Sequence, residues 1–134
     1  MALMDDYSLI VGESIVEELR LIASHLWGKR IINVNSTAVG GGVAEILNRM
    51  VPLLKDMGLN VRWDVIRGGE EFFDVTKKFH NALHGRRVDM AEKDFEIFME
   101  TSRKNLEEMD TAGDIVFIHD PQPIVLVKKR SNNK

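Results

Sequence analysis

The chain has 134 residues, 44% of them hydrophobic and 29% charged, a length and composition that fit one globular domain with its own core and exclude a complete multidomain enzyme. Cysteine is absent, which removes zinc fingers, cysteine nucleophiles and a disulfide framework, and fits a reducing, cytoplasmic setting. Eighteen basic residues against twenty-one acidic ones give a net charge of −3, too balanced to be the footprint of a nucleic-acid binder. Residues 1–6 lack the basic and apolar regions of a signal peptide, and no run approaches the ~20 apolar residues that span a bilayer.

In chain order, the first helical signal covers residues 13–26, where Ile15, Leu19, Ile22 and Leu26 recur as an apolar face and Gly28 ends the run. Residues 30–35, with Ile31, Ile32 and Val34, form a β-branched run that stops at Ser36 and predicts the first strand. After the loop 36–42, Ile46, Leu47, Met50, Leu54 and Met57 mark a helix closed by Gly58, with Pro52 expected to kink it near Asn48. Residues 60–66 alternate Val61, Trp63 and Val65 with polar neighbours, as in a strand towards a sheet edge. Gly68-Gly69 introduces a helix over 70–83 on Phe72, Thr76, Phe79 and Leu83, and a further helix over 90–109 on Phe95, Phe98, Ser102, Leu106 and Met109. The unbroken Ile115-Val116-Phe117-Ile118 predicts a third, central strand, covered on both faces. Strand, helix, strand, two helices, strand is an α/β pattern with parallel strands and right-handed crossovers. The whole chain reads as a single Rossmann-like domain, and residues 128–134 as a polar, frayed tail.

If the first strand lies between the other two, ligands belong at the carboxyl ends of the strands. Two polar loops fall there: Asn35-Ser36-Thr37-Ala38-Val39-Gly40-Gly41-Gly42 after the first strand and His119-Asp120-Pro121-Gln122-Pro123 after the third. They are expected to face each other. Glycines directly before a helix let the backbone approach a phosphate, which the free N–H groups and the dipole of the helix start favour; the blander reading is a tight turn. Glu45 stands where a dinucleotide fingerprint needs Gly or Ala, and Asp64 lies inside a strand, so nicotinamide and flavin dinucleotides are disfavoured. No Gly-Lys-Ser/Thr follows, which excludes a P-loop. His119 and Asp120 can bind vicinal hydroxyls or act as base and orienter, or Asp120 can simply cap a turn. His80 and His84 have the spacing of two metal ligands but lack a third and a general-base Glu between them, so a partly buried surface pair is expected and no metal. The phenylalanines read as core, and Lys128-Lys129-Arg130 as a solvated end.

Three motifs carry a resemblance: Asn33-Val34-Asn35-Ser36-Thr37 with Gly40-Gly41-Gly42-Val43-Ala44-Glu45-Ile46-Leu47; Glu71-Phe72-Phe73-x-Val75-Thr76-Lys77-x-Phe79-His80-Asn81-Ala82-Leu83-x-Gly85; and His119-Asp120-Pro121-Gln122-Pro123. Over residues 10–127 the chain resembles the trehalose glycosyltransferring synthases and the related trehalose phosphorylases, family 4 glycosyltransferases of the GT-B type. The resemblance implies transfer of glucose from a nucleoside diphosphate sugar, or from glucose 1-phosphate, to glucose with retention of configuration, without a separate cofactor. It implies that this is the incomplete amino-terminal, acceptor-side domain, and that the donor domain, with its paired glutamates, is missing, so the chain alone is inactive. Gly40, Gly41 and Gly42 would then approach donor phosphates, and His119 and Asp120 would position the reacting sugar. Asn35, Ser36, Lys77, His80, Asn81 and Gln122 would contact the acceptor. A sugar and a sugar nucleotide are the implied partners. Two other readings stay open: a stand-alone, non-catalytic phosphate- or sugar-binding module, and an interaction subunit whose open sheet edge supports a homodimer or strand exchange.

Overall fold

A computed structural model describes residues 3–129. A 3-10 turn at Met4–Tyr7 and a short helix α1 (Ser8–Val11) precede α2 (Glu13–Ser24); then follow β1 (Arg30–Asn35), α3 (Gly42–Asp56), β2 (Asn60–Val65), α4 (Glu70–Leu83), α5 (Glu92–Glu108), β3 (Ile115–Ile118) and a 3-10 segment, Ile124–Lys129. The strand order is β2-β1-β3. The Asp114 N–H donates to the Arg30 carbonyl (2.9 Å) and the His119 N–H to the Val34 carbonyl (2.8 Å), so β1 and β3 advance together as parallel strands do. The fold is the expected α/β class, a parallel three-stranded sheet flanked by helices.

In β1 every residue from Ile31 to Asn35 is buried, Ile32 and Val34 completely. β2 lies at an edge as its alternation predicts. β3 corrects its expectation: it occupies the other edge of the described sheet, and Phe117 is 51% exposed. An apolar run reports hydrophobicity and not neighbours. The enclosed strand is β1, whose run contains two buried asparagines, Asn33 and Asn35.

The residues group into two compact units interleaved along the chain: one takes the segment ending at Asn33, Thr37–Asp64 and Ala112–Phe117, and the other takes Val34–Ser36, Val65–Thr111 and the segment from Ile118 onward. In the first unit Ala23, Ile31, Leu47, Val51, Leu59 and Val61 form a core, with Leu26, Val43, Trp63 and Ile115 packed against it. α2 buries Val16 and Ala23, whereas Ile15, Leu19 and Ile22, the expected inner stripe, are exposed. Ala23 on this face joins the core of the unit, and Arg20, one turn after Val16, meets Asp5 at 2.8 Å and Asp56 at 3.8 Å at the surface. α3 buries Ala44, Leu47 and Val51, leaves Ile46 exposed and continues through Pro52. Beyond its end at Asp56, Gly58, with φ 82°, permits the Gly58 N–H to reach the Lys55 carbonyl and the Leu59 N–H to reach the Leu54 carbonyl.

In the second unit α4 and α5 pack through phenylalanines. Phe98 stacks on Phe72 at 5.8 Å and meets the edge of Phe79 at 5.0 Å, each such pair adding about 0.5–1.5 kcal/mol beyond burial. Phe72, Val75 and Thr76 are buried, whereas Leu83, expected in the stripe, is 73% exposed. α5 buries Asp94, Ser102 and Asn105, and Phe95 turns outward. Lys78 Nζ donates to both Asp94 oxygens (2.9 and 2.8 Å), and Asp94 Oδ2 also accepts the Ala91 N–H at the helix start (2.9 Å). These bonds hold the Asp94 carboxyl below the usual carboxylate range. Lys128 and Lys129 belong to the last 3-10 segment, where Lys129 Nζ donates to the Met109 carbonyl; the rest of the expected tail, residues 130–134, lies outside the described residues. No helix among the described residues is long and apolar enough to cross a membrane.

Candidate functional site

The glycine loop belongs to the first unit. Thr37 Oγ1 donates to the Val39 carbonyl (2.7 Å) and accepts the Val39 N–H (3.2 Å), closing a small side-chain turn ahead of the glycines. Gly40 has φ 75°, and Gly41, the residue before α3, has φ 84° and ψ 150°, a region that only glycine occupies cheaply. The turn therefore explains Gly40 and Gly41. It does not explain Gly42, which opens α3 with an ordinary φ and where an added Cβ would meet nothing within 4 Å.

No side chain caps α3, and its first intrahelical bond runs from the Glu45 N–H to the Gly41 carbonyl (3.2 Å). The N–H groups of Gly42, Val43 and Ala44 thus lack intrahelical acceptors and point out at the positive end of the helix dipole. An open depression of about 1100 Å³ starts at Gly42 and runs along α3 past Glu45 and Arg49.

The remaining candidates belong to the second unit. The Asn35 carbonyl accepts the Ile66 N–H at 3.0 Å, and the His119 N–H donates to Val34. The ends of the three strands are thereby tied together, with Asn35 and Ser36 in the middle and His119 beside them. Asn35 is buried, Ser36 and His119 are half-buried and Asp120 is exposed. Asp120 has φ 67°, a left-handed conformation that aspartate tolerates better than most residues. Gln122 Oε1 is buried, and its side chain lines a small cavity against α5.

On α4, Lys77 and His80 are exposed and Asn81 half-buried, whereas Phe72, Val75 and Thr76 are buried. His80 and His84 lie ring to ring at 4.2 Å, with His84 Nδ1 2.8 Å from the His80 carbonyl oxygen. Among the described residues no group of three or more His, Cys, Asp or Glu side chains could hold a metal ion.

One contributor escapes the sequence reading. Asn105, 4% exposed, accepts the Arg67 N–H on Oδ1 (2.8 Å) and donates from Nδ2 to the carbonyls of Arg67 (2.7 Å) and Thr101 (2.9 Å). It clamps the loop that leaves β2. The available signal is a polar residue one turn after Ser102, on a helix face that should be apolar.

Residues 33–134 match the family model described as trehalose synthase, N-terminal domain. The trehalose synthases of Thermococcus litoralis and Rubrobacter xylanophilus are 46% and 44% identical over 127 and 124 residues, covering 93% and 90% of this chain. A trehalose phosphorylase of Pleurotus sajor-caju is 30% identical over 144 residues, covering 94% of this chain and 19% of its own length. The chain spans about 31% and 30% of the two synthases' lengths. On the family model and these identities, the chain belongs to the trehalose synthase amino-terminal domain family.

Proposed function

We propose that this chain is the acceptor-side, amino-terminal domain of a retaining glucosyltransferase of GT-B type that forms or phosphorolyses trehalose, from a nucleoside diphosphate glucose or glucose 1-phosphate with glucose as the other sugar. The observation that carries the reading is the family match across residues 33–134, which contains both loops at the strand ends. The uncapped N–H groups at the start of α3, with Gly40, Gly41 and Gly42 leaving the approach open, suit an anion such as the departing phosphate. His119 can accept or donate a proton at a sugar hydroxyl, and Asp120 can hold the neighbouring hydroxyl. Asn35, Ser36, Lys77, His80 and Asn81 are the acceptor contacts in this reading. Gln122, with its amide oxygen buried, is assigned to supporting the loop. The reaction needs no cofactor or metal in this scheme, and the protein works in the cytoplasm. Residues of a longer polypeptide complete the catalytic cleft, so the 134 residues alone do not turn over.

Calorimetry with glucose on the chain, on His119→Ala and on Asp120→Asn tests the acceptor role. Loss of one charge-assisted hydrogen bond, about 1.5–3 kcal/mol, weakens binding by roughly 10- to 100-fold. Equal affinity of all three for glucose removes the acceptor role from this loop, and trehalose formation from UDP-glucose by the chain alone removes the need for further residues.

A further inference from the structure

Beneath the His119–Pro123 loop, the second unit holds a small, mostly apolar cavity with a few polar side chains in its wall, which the proposed function does not use. Ser102 on α5 is 5% exposed, and its Oγ and Gln122 Oε1 are both buried with no hydrogen-bond partner among the described residues. Buried hydroxyl and amide oxygens are ordinarily paired, and leaving one unpaired is costly. The two side chains line the same cavity, of about 10 Å³, which is walled elsewhere by Ile66, Phe72, Asn105 and Leu126. That space takes about one water molecule, and a water is retained in a cavity only where it finds two or more polar partners. Asn105 already spends both amide protons and one oxygen lone pair on Arg67 and Thr101, leaving one lone pair as a third partner.

We propose that a single internal water occupies this cavity, donating to Gln122 Oε1 and sharing a hydrogen bond with Ser102 Oγ, and that it fastens the His119–Pro123 loop to α5. Ser102 and Gln122 are positioning residues in this account and touch no substrate. Their water bridge complements the two direct bonds between Asn105 and the Arg67 backbone, so that one helix steadies the loops leaving β2 and β3. The loop it holds is the one in which Asp120 sits at φ 67°, a conformation that persists only where the surroundings fix it. Burial and cavity volume place this water, whatever sugar chemistry the loop performs.

The test combines a crystal structure with a double-mutant cycle on the 134-residue chain. Solvent density within hydrogen-bond distance of both Ser102 Oγ and Gln122 Oε1 is expected; a direct contact between the two side chains with no solvent density overturns the proposal. By denaturant unfolding, Ser102→Ala and Gln122→Met each raise the unfolded-to-folded ratio about tenfold. The double variant does no worse than either single one, because the bridge is lost once. Neutral single variants or additive losses overturn it. For the positioning role, the His119 imidazole resonances shift in both variants but not in Val75→Ala, which weakens α4 without touching the bridge; resonances unmoved in all three overturn the link to the loop.

Discussion

Gly42→Ala separates a glycine loop built for a ligand from one built only for a turn. In the free chain the fold has no need of glycine at this position: φ is ordinary, and an added methyl carbon meets nothing within 4 Å. Alanine there restricts the unfolded chain and stabilises by about 0.4–1 kcal/mol, which for a domain of this size raises Tm by roughly 2–5 °C. The neighbouring Gly41→Ala has the opposite sign, because φ 84° with ψ 150° costs an L-residue about 1–3 kcal/mol. If a phosphate docks on the free N–H groups of α3, the new methyl stands in its approach. Losing one charge-assisted hydrogen bond, about 1.5–3 kcal/mol, then weakens UDP binding by roughly 10- to 100-fold. Scanning fluorimetry reads the first effect, and calorimetric titration with UDP at low salt reads the second. A Gly42→Ala chain that gains stability and binds UDP as tightly as the parent would refute the phosphate reading and leave the glycines as a turn.

Phe72→Ala empties the contact between α4 and α5, where Phe72 is 1% exposed and stacked on Phe98; a loss of about 3–5 kcal/mol in denaturant unfolding is expected, and a loss under ~1 kcal/mol would contradict that packing. The Asp94 carboxyl, bonded to Lys78 and the Ala91 N–H, titrates below the usual range, so its contribution is fully present above the ordinary carboxylate pKa of about 4 and disappears as pH falls through the lower folded value. Tm measured from neutral to acid pH should therefore decline less steeply in Asp94→Asn than in the parent, starting from a lower value at neutrality. Parallel curves would show that the pair does not stabilise the fold.

Local chemistry made much of the fold legible. The β-branched run before Ser36 marks β1, and paired glycines followed by a phenylalanine stripe mark α4, because turn and periodicity signals act within a few residues. What periodicity leaves open is which of two adjacent stripes turns inward. On α2 both the Ile15–Leu19–Ile22 line and the Val16–Arg20–Ala23 line have helical spacing, and the choice is made by packing, because Ala23 joins a core of Ile31, Leu47, Val51, Leu59 and Val61 supplied by later segments of the chain. Sheet position is equally non-local, since the apolar composition of β3 says nothing of which strand lies beside it. The loops bearing the candidate residues were readable as strand ends. The clamp of Asn105 on the loop after β2 was not, nor the place of Ser102 beneath the His119–Pro123 loop, because the bond from Arg67 to Asn105 spans 38 residues and a polar residue in a helical stripe carries no address for its partner.

The left-handed turn at Asp120 acts as a filter on the amino-acid alphabet. Glycine, asparagine and aspartate are the residues that adopt such a backbone readily, and of these only aspartate brings a negative charge at neutral pH. The backbone thus narrows the choice to a handful of side chains, and the chemistry of the loop decides among them. Asparagine keeps the shape while discarding the charge, so the two demands on this position can be separated by exchanging one oxygen for an NH₂ group.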